Sequence, residues 1–415
     1  MGIKIGIAGA GQFARCFIPL FKAHPYVDEL SLAELIPERL SQNAKTFGIK
    51  NTYPSLSDML ENADIDAVAI FTQRHLHGAQ VLECLKAGKH VYCAVPMGQT
   101  QEEIFRIIEV AEKSRLIYMT GETSYYYPST VLCRDRFQAG LFGEFVYGEA
   151  QYLHDMMHGF YDAYRYSGGE DWTKVAGIPP MYYPTHSVSM IISVTGESVS
   201  QVSCLGYKDH HMDRIFTKEG NLWENPFSNE TAIMRTTDGG MLRINEFRRV
   251  GWGGRNSVYM SMFGTAGSFE ENAGGSAWSS LEWGKVEDLT AYLNCEDTYL
   301  AEHETDDLGE TLTFDFHSLF SKAHHTFRLP EEYKKMPNGH MGSHQFLVDD
   351  FMKAVVTNKL PPNHAWNAAK YLLPGLAAHQ SALKEGENVK VDSVGNPPKD
   401  WEILNPDSFV AYRYH

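Results

Sequence analysis

The residue types best suited to chemistry come early in the chain. Gly9, Gly11 and Ala14 stand in the spacing G-x-G-x-x-A, with Gln12 and Phe13 inside it. The hexamer follows the apolar run "IKIGIA" and heads a helical pattern, the context in which such a spacing has a mechanism. The first glycine permits a tight turn, the second lets a pyrophosphate approach the backbone, and the small third residue keeps helix and strand close. Phosphate oxygens would then face the unsatisfied N–H groups of the helix start. Glu34 lies 20 residues beyond Ala14, at the end of the next apolar run. A carboxylate there accepts hydrogen bonds from ribose hydroxyls and repels a 2′-phosphate, which predicts NAD as cofactor. Arg39 is near enough to take a 2′-phosphate instead, or simply to solvate the next helix.

A second polar concentration is "YLHDMMHGFYDAYRY". His154 and His158 have the i, i+4 spacing that can hold a metal, but local sequence fixes no third ligand and no metal site is predicted. The expectation is a sugar-binding surface of His, Asp, Tyr and Arg: His154, Asp155 and His158, followed by Tyr161, Tyr164, Arg165 and Tyr166. In "NEFRR" (245–249) the arginines either meet an anionic substrate group or belong to an exposed charged strand.

The elements around these residues follow from periodicity. Over the first 120 residues, short apolar runs without polar alternation alternate with amphipathic stretches. This predicts a parallel sheet covered on both faces by helices. Beyond about residue 125 the runs become β-branched and aromatic, and Asp238–Gly239 suggests a hairpin turn. The expected architecture is α/β. A Rossmann dinucleotide-binding domain (1–124) is followed by an α+β domain (125–415) with an open, largely antiparallel sheet. An acidic insertion is expected at about 287–310, and two helices, near 343–357 and 364–385, close the chain.

Composition narrows the class. Hydrophobic residues at 43% and charged residues at 21% are ordinary globular values. The 52 acidic against 36 basic residues give a net charge of −16, which argues against nucleic acid or an anionic membrane as partner. Six scattered cysteines without a CxxC pair suggest free thiols in a reducing compartment. With no secretion-signal pattern and no long apolar run, a cytoplasmic location is expected.

Four segments together resemble the Gfo/Idh/MocA oxidoreductase family: the glycine turn, "DAVAIFTQRHLHG", "CLKAGKHVYCAVP" and "ALKEGENVKV". The resemblance covers essentially the whole chain. It implies a tightly held nicotinamide cofactor and dimers or tetramers formed through the C-terminal sheet. Carried over by position, Thr72, Arg74 and His77 would lie along the cofactor, with Ala94, Val95 and Pro96 at its nicotinamide end. Glu122 would touch cofactor or substrate, and Tyr125, Tyr126 and Tyr127 would reach toward the sugar. His186 aligns with the family's catalytic histidine, while Tyr182 stands where an Asp precedes it. The usual E-K-P has become Ala94-Val95-Pro96, so the family's lysine is absent.

Val95 has no proton to exchange, which shifts the acid–base work to His186, helped by Tyr183 or Tyr127. The same replacement, and a "YPTH" segment (183–186), resemble the NAD-dependent glycosidases of the family-109 type. Their implied mechanism is redox-neutral: transient oxidation at C3 of the sugar, elimination at C2 and C1, hydration and re-reduction. The expected substrate is therefore a sugar or glycoside. Two alternatives stand beside this: an ordinary sugar or cyclitol dehydrogenase, and a non-catalytic NAD or sugar-sensing regulator.

Overall fold

The computed structural model describes residues 2–254, 256–295, 319–336 and 338–408. Strands β1 (Ile3–Ala8), β2 (Val27–Ala33), β3 (Asn51–Tyr53), β4 (Ala67–Ile70), β5 (His90–Ala94) and β6 (Tyr118–Gly121) form one parallel sheet. Their order is β3-β2-β1-β4-β5-β6. All of β4 and β6 is buried, as it must be where helices cover both faces. The covering helices are α1 (Gln12–Ala23), α2 (Pro37–Phe47), α3 (Leu56–Asn62), α4 (His77–Lys86) and α5 (Gln101–Ser114). Strand β3 was not legible from sequence, because its residues are only half-buried at the sheet edge. The strand order reverses between β1 and β4, so a crevice opens at their carboxyl ends.

The second sheet has nine strands in the order β14-β13-β12-β11-β7-β10-β9-β8-β15. In chain order they are β7 (Phe145–Leu153), β8 (Val199–Lys208), β9 (Phe227–Thr236), β10 (Met241–Phe247), β11 (Val258–Gly264), β12 (Gly267–Asn272), β13 (Gly275–Ser280), β14 (Val286–Asp288) and β15 (Val389–Lys390). Every pair is antiparallel except β7 with β10. Asp238–Gly239 does turn β9 into β10, with Gly239 at φ 97°. Of the expected acidic insertion, residues 287–295 form the end of β14 and a short helix, and 296–310 lie outside the described residues.

Four more helices follow the first sheet: α6 (Pro128–Gln138), α7 (Tyr161–Gly168), α8 (Trp172–Ala176) and α9 (Thr185–Thr195). From Thr185 to Ile192 every residue of α9 is buried, between β7 and the helix Ala365–Leu383. The closing helices are Ser343–Thr357 and Ala365–Leu383, within two residues of expectation.

The two sheets lie on either side of residue 125, but the cores do not divide there. Phe346, Phe351, Trp366 and Leu372 share one apolar core with Ile5, Phe17 and Tyr92. The C-terminal helices thus complete the nucleotide domain, an arrangement that a cut at 124/125 misses. Their apolar positions pack against α1 and β6, far away in sequence.

Candidate active site

Carboxyl ends of consecutive strands supply one wall of a cleft of about 480 Å³. Gly9 and Gly11 follow β1, Glu34 follows β2, Thr72 and Arg74 follow β4, and Ala94 and Val95 end β5. Gly9 sits at φ 91°, and a Cβ there would stand 2.8 Å from the Phe71 carbonyl oxygen. A Cβ on Gly11 would meet nothing within 4 Å, so the backbone is open beside the start of α1. No side chain caps that helix, and its first turn holds no acidic residue. The amide oxygen of Gln12, on the cleft wall, is buried without a hydrogen-bond partner among the described residues. Open space, a helix start without a side-chain cap and an unsatisfied amide together fit a dinucleotide's diphosphate and ribose. Ala14, fully buried, lets α1 pack close against the sheet.

Glu34 and Arg39 settle into defined roles. The Glu34 carboxylate accepts from the Ala10 N–H at 2.8 Å and the Ile36 N–H at 3.0 Å. Its other neighbour, Arg39 Nη1, lies 3.8 Å away. Arg39 also donates to the Tyr166 carbonyl at 2.6 Å and lies over the Tyr166 ring. Its guanidinium is thereby committed beside a carboxylate, which leaves it poorly placed to clamp a 2′-phosphate.

At the other end of the cleft the central feature is His186, in the first turn of α9. Its Nδ1 lies 2.6 Å from Oε1 of Glu122, which directly follows β6. The same oxygen accepts the Ser124 N–H at 2.9 Å. Burial pushes the Glu122 carboxyl up, but His186 and the hydrogen bonds outweigh it and hold the group below the usual carboxylate value. With Nδ1 fixed on a carboxylate, Nε2 is the ring atom through which His186 can exchange a proton with a ligand. The ring also packs edge-on to Tyr152 and Tyr183, with centroids 5.2 and 5.1 Å away. Arg74 lies 4.5 Å over the Tyr183 ring and bonds the Tyr164 hydroxyl. Burial pushes the Tyr183 phenol up, and Arg74 opposes that shift. Ala94 and Val95 border this polar group as apolar wall, with the Val95–Pro96 peptide cis.

A small subdomain borders the cleft through Ala163, Tyr164, Tyr166 and Ser167. It has its own apolar cluster of Met156, Tyr164, Ala176, Ile215 and Phe216. Besides the Arg39 and Arg74 contacts, Gln73 donates to the Ser167 carbonyl at 2.7 Å. Helix α7 is thereby tied across the nucleotide half of the cleft.

Several expected site residues are placed elsewhere. Tyr126 is buried, bonds Asp350 and accepts from Arg328, and Tyr125 lies under Arg134, both away from the sugar end. Tyr127 is core beside Thr123, one layer behind Tyr152. Tyr182 packs on His379. Asp155 caps the Met157 N–H and accepts the Val250 N–H, so its carboxylate is spent on the backbone. His158 and Arg165 lie outside the cleft wall, Arg165 pairing with Asp162 at the surface. His77 borders the cleft but is buried, its ring nitrogens near the Pro96 and Thr72 carbonyls, and burial pulls it down to about 4. It ties the ends of β4 and β5 together. His154 does line the cleft, stacked 4.0 Å from Phe160.

Neither arginine of "NEFRR" is available to a substrate. Arg248 pairs with buried Glu246 at 2.9 Å, and Arg249 with Asp213 at 2.6 Å. Tyr164 lines the cleft as the sequence suggests, and Tyr152, Phe160 and His340 line it without a signal in the sequence reading. Tyr152 was recoverable, since it stands two residues before His154, near the end of β7.

Known proteins resemble this chain in sequence and in fold. Residues 3–122 match the model described as the oxidoreductase family, NAD-binding Rossmann fold, of the Gfo/Idh/MocA group. A glycosyl hydrolase family 109 protein of Streptomyces filamentosus is 22% identical over 410 residues, covering 92% of this chain and 76% of that one. Another of that name, from Saccharopolyspora erythraea, is 24% identical over 233 residues, 51% of this chain. The chain spans only 50% of the length of that relative. Among solved structures, a levoglucosan dehydrogenase in complex with NADH and levoglucosan superposes with a TM-score of 0.71. It is 19% identical and covers 95% of this chain and 100% of that one, a likeness of fold.

Proposed function

From the Gfo/Idh/MocA oxidoreductase family, to which this chain belongs by its NAD-binding domain, we propose an NAD-dependent enzyme that cleaves a glycosidic bond without net oxidation. The observation that carries the proposal is a contrast within one cleft. Ala94 and Val95 offer no proton carrier, while His186 is held on Glu122 and flanked by Tyr183 and Arg74.

The cofactor, held by the Gly9–Gly11 turn, Gln12 and Glu34, would supply a reversible hydride acceptor for C3 of the sugar. His186, oriented by Glu122, takes the proton of the C3 hydroxyl through Nε2 and later returns it. Tyr183 serves the neighbouring C2 proton, with Arg74 offsetting part of the burial that pushes its phenol up. Loss of that proton expels the group at C1, and water adds before C3 is reduced again. Tyr152, His154 and Phe160 supply aromatic faces for the C–H surface of a sugar ring. A dehydrogenase with net oxidation is the second reading, supported by the fold shared with levoglucosan dehydrogenase. It would use His186 alone.

The other expectations fit the same proposal. Leu205, Ile233 and Met241 are exposed on the sheet face turned away from α9, where a second copy could pack in a dimer or tetramer. No helix among the described residues is long and apolar enough to cross a membrane. We place the enzyme in the cytoplasm.

The test is incubation with α- and β-aryl glycosides in D2O, with and without NAD+. Aglycone release with deuterium at C2 and no net NADH absorbance is the expected result. Stoichiometric NADH without aglycone release would instead establish the dehydrogenase.

A further inference from the structure

Among the described residues, one cation at the sugar end of the cleft has no carboxylate partner. Arg74 opens the short 3-10 turn Arg74–Leu76 after β4 and stands half-buried on the cleft wall. Three aromatic rings surround its guanidinium. Its carbon lies 4.5 Å from the Tyr183 centroid, 5.3 Å from that of Tyr164 and 5.9 Å from that of Phe160. Nη1 donates to the Tyr164 hydroxyl, and the Tyr183 hydroxyl also bonds the guanidinium. Burial works against the charge, and the phenols of Tyr164, Tyr183 and Tyr152 offset it. A phenol is uncharged near neutrality, so none of these balances the guanidinium.

The other arginines set the contrast. Arg39, also on the cleft wall, lies 3.8 Å from Glu34. Arg248 and Arg249, which the sequence offered for an anionic substrate group, pair with Glu246 and Asp213. Buried Arg328 has both Asp349 and Asp350. A cation withdrawn from water is costly unless it is paired, and in a cleft a ligand can supply the partner. The rings hold the guanidinium in place, while the two phenol contacts leave part of its N–H fork to the cleft. That fork matches a carboxylate, sulfate or phosphate through paired hydrogen bonds, which gain strength where rings exclude water. Its neighbours set it with the sugar rather than with the cofactor's diphosphate. The diphosphate belongs at the start of α1, whereas Tyr183, beneath Arg74, packs on His186 with centroids 5.1 Å apart. We propose that Arg74 is a specificity residue, selecting a sugar that carries an anionic substituent: a carboxylate, sulfate or phosphate. This rests on the sugar assigned to the cleft under the proposed function and narrows it to a charged class.

The test is calorimetric titration of NAD+-saturated protein with matched neutral and charged sugars. Glucose and galactose stand against glucuronate and galacturonate, and against their 6-sulfates and 6-phosphates. One charged form should bind about tenfold more tightly than its neutral parent, and the arm that does so names the substituent. Arg74→Gln should abolish that preference. Arg74→Lys, which keeps the charge without the planar fork, should retain part of it. Thermal midpoints near the wild type's establish that both variants are folded. Equal binding of charged and neutral sugars by the unaltered protein overturns the proposal, whatever the variants do. So does a preference that survives in Arg74→Gln, and a loss of NAD+ affinity beside it would assign the guanidinium to the cofactor. Binding of a charged sugar without cleavage of its aryl glycoside overturns bond cleavage alone and leaves the Arg74 assignment standing. Binding of no sugar at all removes both.

Discussion

Two buried histidine–glutamate pairs lie on either side of one short segment. Glu122 and His186 meet at 2.6 Å, and Glu230 and His379 at 2.7 Å. All four residues are buried. Between them runs "PPMYYPTHS" (179–187), pinned at further points. The second oxygen of Glu230 accepts the Met181 N–H at 2.8 Å, and Glu246 accepts the Ser187 hydroxyl at 2.5 Å. The two pairs differ in what surrounds the imidazole. His186 borders the cleft, whereas His379 is enclosed by Tyr182 and Phe227. In the proposed function, identical chemistry thus serves catalysis in one place and fixes the segment in the other, and access to a ligand decides which.

The comparison can be broken most directly at His186. His186→Ala should lower kcat about 10³-fold while leaving the NAD+ dissociation constant nearly unchanged, as measured by steady-state kinetics and titration. An active His186→Ala enzyme would erase the distinction between the pairs. The mirror-image change, His379→Ala, leaves Glu230 buried without its partner. It should cost about 3 kcal/mol in urea unfolding but change kcat less than threefold. A large loss of activity at unchanged stability would mean that the second pair also takes part in catalysis.

Glu122→Gln sharpens the contrast through pH. The Glu122 carboxyl is held below its ordinary value, so its stabilising contribution is present above the unfolded value near 4.5 and is lost as pH falls through the folded one. The stability gap between wild type and Glu122→Gln should therefore be widest near neutrality and close on acidification, seen as converging urea midpoints. Ser187→Ala removes one donor to Glu246 and should cost about 1 kcal/mol, a smaller effect than loss of either pair.

A third histidine supplies the weakest case. His325 bridges Asp135 at 3.0 Å and Asp407 at 2.7 Å in a half-exposed setting, and these carboxylates raise it to about 10. Its contribution is complete below about pH 6.5 and lost as pH rises through 10. His325→Gln should flatten that alkaline decline slightly without touching activity, as shown by thermal midpoints between pH 6 and 10.

Legibility from sequence varied with the range of the interactions. The glycine turn and Glu34 were readable because one strand, one turn and one helix place them. The closing helices were readable from their apolar periodicity. The sequence singles out His186 and suggests Glu122 as a ligand contact, whereas the structure sets the Glu122 carboxylate on Nδ1 of His186. Nothing within either local stretch encodes a contact between the end of β6 and the start of α9. The three tyrosines 125–127 misled for the same reason. Their spacing says aromatic surface, yet Arg328 and Asp350 draw Tyr126 into the interior. His340 left no local signal at all, since an Asn338-clamped loop brings it to the first turn of α1.

By itself the sequence determined the nucleotide fold, the cofactor class and the absence of a lysine at Val95. Those depend on covalent spacing and short-range periodicity, which a linear chain displays directly. Only the tertiary structure decided which histidine among the described residues faces the cleft on a buried carboxylate. It also decided which tyrosines stand beside that histidine and where the arginines are spent. Those outcomes depend on burial and pairing between distant segments, where a polar group is worth most once water is excluded.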